Sequence, residues 1–172
     1  MKLREWLDKR GMTSLKIKPP FLEAEWKPRN ADKAAAWDLY VELLTRIATQ
    51  PLPSEHGDEE TALKSIFSLF SITREVMKSN GRHCIEFTKI AVVFLNQRIR
   101  PFTAKWHRLS IDGALSDEVE CKNFRAELQA LQGELKIYTQ MLADMAGVED
   151  LTELEDREAS LEPEPFAKPS GK

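Results

Sequence analysis

The sequence predicts an all-α protein, an antiparallel four-helix-type bundle with an N-terminal extended arm and a disordered acidic C-terminal tail. Apolar residues recur at steps of three and four through most of the chain, a spacing typical of amphipathic helices. Most prolines and glycines stand between these stretches and separate them. After residue 147 the composition changes to acidic residues and proline, which indicates a segment that cannot build a core.

These patterns divide the chain into three parts. Residues 1–29 form the N-terminal arm, residues 30–147 the helical bundle domain, and residues 148–172 the flexible acidic tail. The arm begins with a short predicted helix that Gly11 ends. Three prolines exclude a continuous helix in the rest of the arm, so it is expected to be extended.

Long helices are predicted for residues 30–50, 58–79, 83–99 and 117–146. They end at residues that stop helices, namely Pro51, the Asn80-Gly81 pair, Pro101 and Gly147. The third helix is expected to continue beyond a kink at Pro101, because proline suits a first helical turn. Long amphipathic helices joined by short loops are the ingredients of an antiparallel bundle.

The apolar faces identify the expected core. On the first long helix the face consists of Trp37, Tyr40, Val41, Leu44, Ile47 and Ala48. On the last helix it consists of Val119, Phe124, Leu128, Leu131, Leu135, Tyr138, Leu142 and Met145. This last stripe is close to a heptad pattern, so it also makes self-association credible.

Composition bounds the compartment and the class of partner. The formal net charge is −3, so nothing global predicts binding to nucleic acid. The two cysteines are expected to be reduced thiols, which favours a reducing compartment. No segment has the pattern of a signal peptide or the length of a membrane span. We therefore expect a cytoplasmic protein that does not contact membranes.

One segment has an unusual charge distribution. Between Phe87 and Ile111 there is no Asp or Glu, while basic and aromatic residues alternate. Phosphate contacts and base stacking require such residues, which makes RNA or DNA a possible ligand. The candidate nucleic-acid-binding residues are Arg98, Arg100, Lys105, Trp106 and Arg108. The competing interpretation is that half of the run is a buried helix, with Trp106 in the core and solvated basic residues at its ends.

Two residues of this run suggest a chemical hypothesis. Arg100 and His107 are seven residues apart, so a continuous helix would place them on one face. This Arg-x6-His spacing resembles the motif of the HEPN family, small helical bundles that include metal-independent RNases. The resemblance covers about eight residues and implies that Arg100 stabilises phosphate charge and that His107 acts as general acid or base. Pro101 departs from the polar residue usual in that motif.

Metal and cofactor sites are not predicted. His56 stands near Glu55, Asp58 and Glu59, but zinc sites need more His or Cys at fixed spacing. The glycines form no phosphate-binding loop, and no serine stands in a nucleophile elbow. We expect no metal and no cofactor.

Three aromatic residues of the arm are candidates for contact with a partner. Trp6, Phe21 and Trp26 lie in segments with little predicted structure of their own. Exposed aromatic residues of this kind often anchor protein interfaces. The alternative is that the arm folds back and buries them within the same chain.

The function that we expect from these patterns is non-enzymatic. The chain is interpreted as a helical interaction protein, an accessory subunit or adaptor of a larger complex of bacterial type. The alternative is a bundle that binds RNA or DNA, or cleaves RNA as the HEPN resemblance implies, through residues 98–108, in a bacterial conflict or defence system. A variant of both hypotheses has the acidic tail mimic nucleic acid and cover the basic segment.

Overall fold

The computed structural model describes residues 1–46, 49–53, 55 and 57–154. In this part of the chain the fold is all-α, as predicted, and no strand forms beyond one antiparallel bridge between Lys2 and Glu25. The α-helices are α1 (Leu3–Lys9), α2 (Pro19–Leu22), α3 (Asn30–Leu44), α4 (Glu59–Phe67), α5 (Leu69–Asn80), α6 (Ile85–Phe94), α7 (Arg100–Ile111) and α8 (Glu118–Ala146). None of these described helices combines the length and the apolar character that a membrane crossing requires.

Helix α3 lies at the centre of the fold and packs against α5, α6 and α8. Its buried face consists of Ala35, Ala36, Leu39, Tyr40 and Leu43, together with the carboxylate of Asp32. Trp37 and Val41 lie on the opposite side, and Trp37 is 46% exposed. The predicted face was therefore wrong for these two residues. The small alanines turn inward because they let neighbouring helices approach closely.

The buried carboxylate of Asp32 connects two helices. It accepts a hydrogen bond of 2.7 Å from the backbone N–H of Arg29, at the start of α3. Its second oxygen accepts one of 3.0 Å from the N–H of Phe87, in the first turn of α6. Because both N–H groups would otherwise lack a partner, this side chain fixes the two helix starts against each other.

The second predicted helix is two helices that meet at Ser68. The hydroxyl of this residue donates to the carbonyl of Ser65 and accepts from the guanidinium of Arg46 at 2.6 Å. Such side-chain bonds compete with regular helical pairing and favour a break. Phe67 is 51% exposed, while Leu69 on the other side of Ser68 is buried.

The third predicted helix continues through Pro101 without interruption. A π-helical turn at Leu95–Ile99 joins α6 to α7, and every residue around it keeps right-handed helical angles. Proline removes one backbone donor, and a π turn changes the hydrogen-bond partners where that donor is missing. The helical rod from α6 to α7 is thus continuous, whereas the sequence predicted an interruption with a kink at Pro101.

Helix α8 begins and ends where its sequence signals stand. The carboxylate of Asp117 accepts bonds from the N–H groups of Val119 and Glu120, and Gly147 follows with a φ of 73°. Its apolar stripe is buried within the chain from Phe124 to Met145, whereas Val119 is exposed. The stripe therefore forms the core, and it is not free to pair with a second copy.

The N-terminal residues pack on the helices. Trp6 and Trp26 stack with ring centroids 4.5 Å apart, and the indole N–H of Trp6 donates to Asp144 of α8. At the other end, residues 149–154 turn back along α8, where the hydroxyl of Tyr40 accepts a 2.8 Å bond from the N–H of Leu151. The predicted tail from residue 155 onward lies outside the described residues.

Candidate functional site

The aromatic residues of the basic segment belong to the core. Trp106 is fully buried, with its ring edge-on to Phe124 at 5.1 Å between centroids. Its indole N–H donates a 3.0 Å hydrogen bond to Glu127 of α8, and Phe102 is also buried. Trp106 therefore has no exposed face for base stacking, in keeping with the competing interpretation that places it in the core. Positions 102, 103 and 106 share the side of α7 that is buried.

Most cations of the segment are neutralised by acids elsewhere in the chain. Arg98 pairs with Glu134 at 2.7 Å and donates to the hydroxyl of Ser14 at 2.6 Å. Lys105 pairs with Glu127. The remaining pairs are Lys89 with Glu86 at 2.7 Å and Arg108 with Asp112 at 3.4 Å. The expected basic cluster is thus divided, with Arg98 and Lys105 directed to different acids of α8.

Arg100 and His107 are brought together, as their spacing predicted. They lie on one unbroken helix, two turns apart and about 20° from each other around its axis. The Nε of Arg100 donates a 3.0 Å hydrogen bond to the side-chain oxygen of Asn96, one turn earlier. In the run from residue 87 to 111, all of which is described, Arg100 is the cation without an acidic partner.

Two phenylalanines from outside the segment complete this surface. The ring of Phe67 contacts the imidazole of His107 at 4.8 Å between centroids, with 70° between the ring planes. Phe70 lies 5.8 Å from Phe67, and the guanidinium carbon of Arg100 lies 5.1 Å from the Phe70 ring centre. Ile111, one turn beyond His107, is 80% exposed. We call these five residues the α4–α7 face.

The sequence analysis missed both phenylalanines because they fit the apolar face of the second predicted helix. The signal available in the sequence was Ser68, a weak helix former between them. In the structure Ile66 is buried, whereas Phe67 is 51% exposed and contacts His107 of α7.

The aromatic residues of the arm are placed differently from one another. Trp6 and Trp26 are buried within the chain, so the structure realises the alternative in which the arm folds back. Neither ring is exposed to a partner in this arrangement. Phe21 is 50% exposed, on the four-residue helix α2.

The described residues bring together no three His, Cys, Asp or Glu side chains that could hold a metal ion. His56, named in the sequence analysis, lies outside them. Both cysteines are free. Cys84 is buried, and its thiol donates to the carbonyl of Gly81. Burial, followed by the charge of Glu59, raises the pKa of the Cys121 thiol, which makes it a poor nucleophile.

Two concave regions border other parts of the fold. A groove of about 650 Å³ lies beside α8 and is lined by Leu44, Pro51, Gly133 and Leu154 among others. A cleft of about 660 Å³ lies at the start of α6, where Asp32 is already hydrogen-bonded. Charged and titratable side chains line most of this cleft, among them Glu25, Arg82, His83 and Glu86.

Comparisons with protein-family models, with curated proteins and with solved structures return no match to this chain.

Proposed function

We propose that this protein is a non-enzymatic helical interaction protein, an accessory subunit or adaptor of a larger complex, built as an antiparallel four-helix-type bundle. It binds a protein partner through the α4–α7 face. The observation that carries the proposal is the contiguity of exposed apolar groups with one unpaired cation. Phe67, which contacts the ring of His107, is 51% exposed, and Ile111, one turn beyond His107, is 80% exposed. Arg100 lies two turns before His107 on the same side of the rod.

Exposed aromatic and aliphatic groups beside an arginine are typical of protein interfaces. Aromatic residues and arginine supply much of the binding energy in such interfaces, because they bury large areas at low entropic cost. Phe67 and Phe70 already restrict each other and the neighbouring side chains. Binding at a pre-ordered surface loses less conformational entropy.

The ion pairs favour a protein over a nucleic acid as the partner. Affinity for RNA or DNA depends on several cations that neutralise phosphates. In the basic segment, however, Arg98 and Lys105 are paired with acids of α8. One unpaired arginine flanked by apolar groups suits a protein surface better than a phosphate backbone.

The test is affinity purification from the native cell, with nuclease treatment and three versions of the chain. Wild type is expected to retain a stoichiometric protein after nuclease treatment, and Phe67→Asp to lose it. The matched control is Ile85→Asp, because Ile85 is equally exposed but lies at the other end of the α6–α7 rod, about 33 Å from His107 at 1.5 Å per residue. Equal retention by Phe67→Asp and wild type would contradict the proposal.

RNA cleavage is the second candidate, favoured by the alignment of Arg100 and His107 on a continuous helix. In this HEPN-like mechanism Arg100 would bind the phosphate, and His107 would transfer the proton. Purified wild-type protein would then cleave single-stranded RNA without metal, and His107→Ala would abolish cleavage. Cleavage that is absent in wild type, or unchanged in His107→Ala, removes this candidate.

A further inference from the structure

The guanidinium of Arg100 is held in place but not neutralised. Its Nε is engaged by Asn96 at 3.0 Å, and its planar group lies 5.1 Å from the ring centre of Phe70. No carboxylate of the described residues lies within ion-pair distance of it. The two terminal nitrogens therefore remain as donors with a fixed orientation. These two parallel N–H donors, called the guanidinium fork below, match the two oxygens of an anionic group.

The surroundings of this fork discriminate between kinds of anion. Phe67 and Ile111 expose apolar surface along the same side of the rod, and no second unpaired cation of the basic segment lies beside Arg100. A polyphosphate chain would leave these apolar groups uncovered and most of its charges unneutralised. A peptide segment can place one carboxylate on the fork and an apolar side chain on the phenylalanine.

We infer that the partner presents an acidic–apolar segment to the α4–α7 face, with one Asp or Glu carboxylate bound bidentately by Arg100 and an aliphatic or aromatic side chain packed between Phe67 and Ile111. This inference rests on the proposed function and specifies its partner.

The experiment selects, from a library of random displayed peptides, those that bind the full-length protein. The enriched sequences are expected to combine Asp or Glu with Leu, Ile, Phe or Trp. Affinity for one enriched peptide is then measured by fluorescence anisotropy. Arg100→Gln is expected to weaken binding about tenfold or more, because a charged hydrogen-bond pair is lost. Arg100→Lys keeps the charge without the fork and should weaken binding to an intermediate degree.

The matched control is Arg82→Gln, which removes the same charge from an exposed residue at the other end of the rod. It should leave peptide affinity unchanged, and circular dichroism should show all variants to be folded. The inference would be overturned if the selection enriched no peptide, or if the enriched peptides lacked Asp and Glu. It would also be overturned if the enriched peptide bound wild type and Arg100→Gln with equal affinity. Salt-sensitive binding of a single-stranded RNA that Arg100→Gln abolishes would overturn it as well.

The affinity purification separates this inference from the proposed function. If Phe67→Asp loses the native partner but Arg100→Gln retains it, the α4–α7 face is an interface, and the inference that it selects an acidic segment is wrong. If both variants retain the partner, the proposed function fails as well. Loss with both variants, together with an acidic–apolar peptide selection, supports the two proposals jointly.

Discussion

Phe94 of α6 and Tyr138 of α8 stack face to face, with ring centroids 4.0 Å apart and only 9° between their planes. The hydroxyl of Tyr138 is buried in this contact and has no hydrogen-bond partner among the described residues. Burial raises the pKa of this phenol well above its ordinary value, because the phenolate would lose its hydration. The stack therefore joins two helices at the cost of one unsatisfied polar group.

Removal of that hydroxyl should not harm the protein. Tyr138→Phe is expected to leave the free energy of unfolding unchanged or to raise it by about 1 kcal/mol, because a desolvated group without a partner is removed. Tyr40→Phe is the matched control, since the Tyr40 hydroxyl accepts a 2.8 Å bond from Leu151. The free energy of unfolding of Tyr40→Phe should fall by about 0.5–1.5 kcal/mol. Urea unfolding measures both, and a larger loss for Tyr138→Phe than for Tyr40→Phe would contradict the assignment.

Two tryptophans test the assignment of core and surface. Trp106→Ala removes a fully buried ring and should lower the free energy of unfolding by about 3–5 kcal/mol. Trp37→Ala removes a ring on the outer side of α3 and should change it by less than about 1 kcal/mol. Denaturant unfolding followed by circular dichroism compares the two variants. If Trp106→Ala proves too unstable to purify, Trp106→Phe still tests the bond to Glu127.

Two glycines of α8 should respond in opposite directions to alanine. Gly133 lines the groove beside α8, and an added Cβ there would meet no atom within 4 Å. Gly133→Ala should therefore stabilise the protein by about 0.5–1 kcal/mol, through helix propensity. Gly147 has a φ of 73° at the end of α8, so Gly147→Ala should destabilise by about 1 kcal/mol. Thermal unfolding measures both variants, and melting temperatures that shift in the same direction relative to wild type would refute this prediction.

The stabilisation that the Asp58 cap supplies at the start of α4 should depend on pH. The Thr61 hydroxyl, followed by the Thr61 backbone N–H at 2.9 Å, lowers the pKa of Asp58 below its ordinary value of 3.8. A lowered folded-state pKa means that the stabilisation exists above the unfolded value and is lost as pH falls through the folded one. Asp58→Ala should cost about 1 kcal/mol at pH 7 and less at pH 3. Asn caps a helix without titrating, so the free energy of unfolding of Asp58→Asn should differ less between pH 7 and pH 3 than that of the wild type.

The sequence by itself determined the features that depend on neighbouring residues. The caps of α8 at Asp117 and Gly147 follow from local residue types, and the seven-residue spacing places Arg100 and His107 on one side of a continuous helix. That the helix continues through Pro101 was not predicted. Helical geometry relates residues a few positions apart without reference to the rest of the chain. The all-α class and one part of the candidate site could therefore be predicted.

The tertiary structure alone decided which faces were used and which charges were paired. Trp37 and Ala36 are neighbours in sequence, yet packing buries the alanine and exposes the tryptophan. Glu134 and Glu127 lie far along the chain from Arg98 and Lys105, so the acid-free run gave no sign of their pairing. Phe67 of α4 contacts His107 of α7, forty residues further along the chain. Such contacts depend on how helices approach one another, and that approach is fixed by the packing of the whole core.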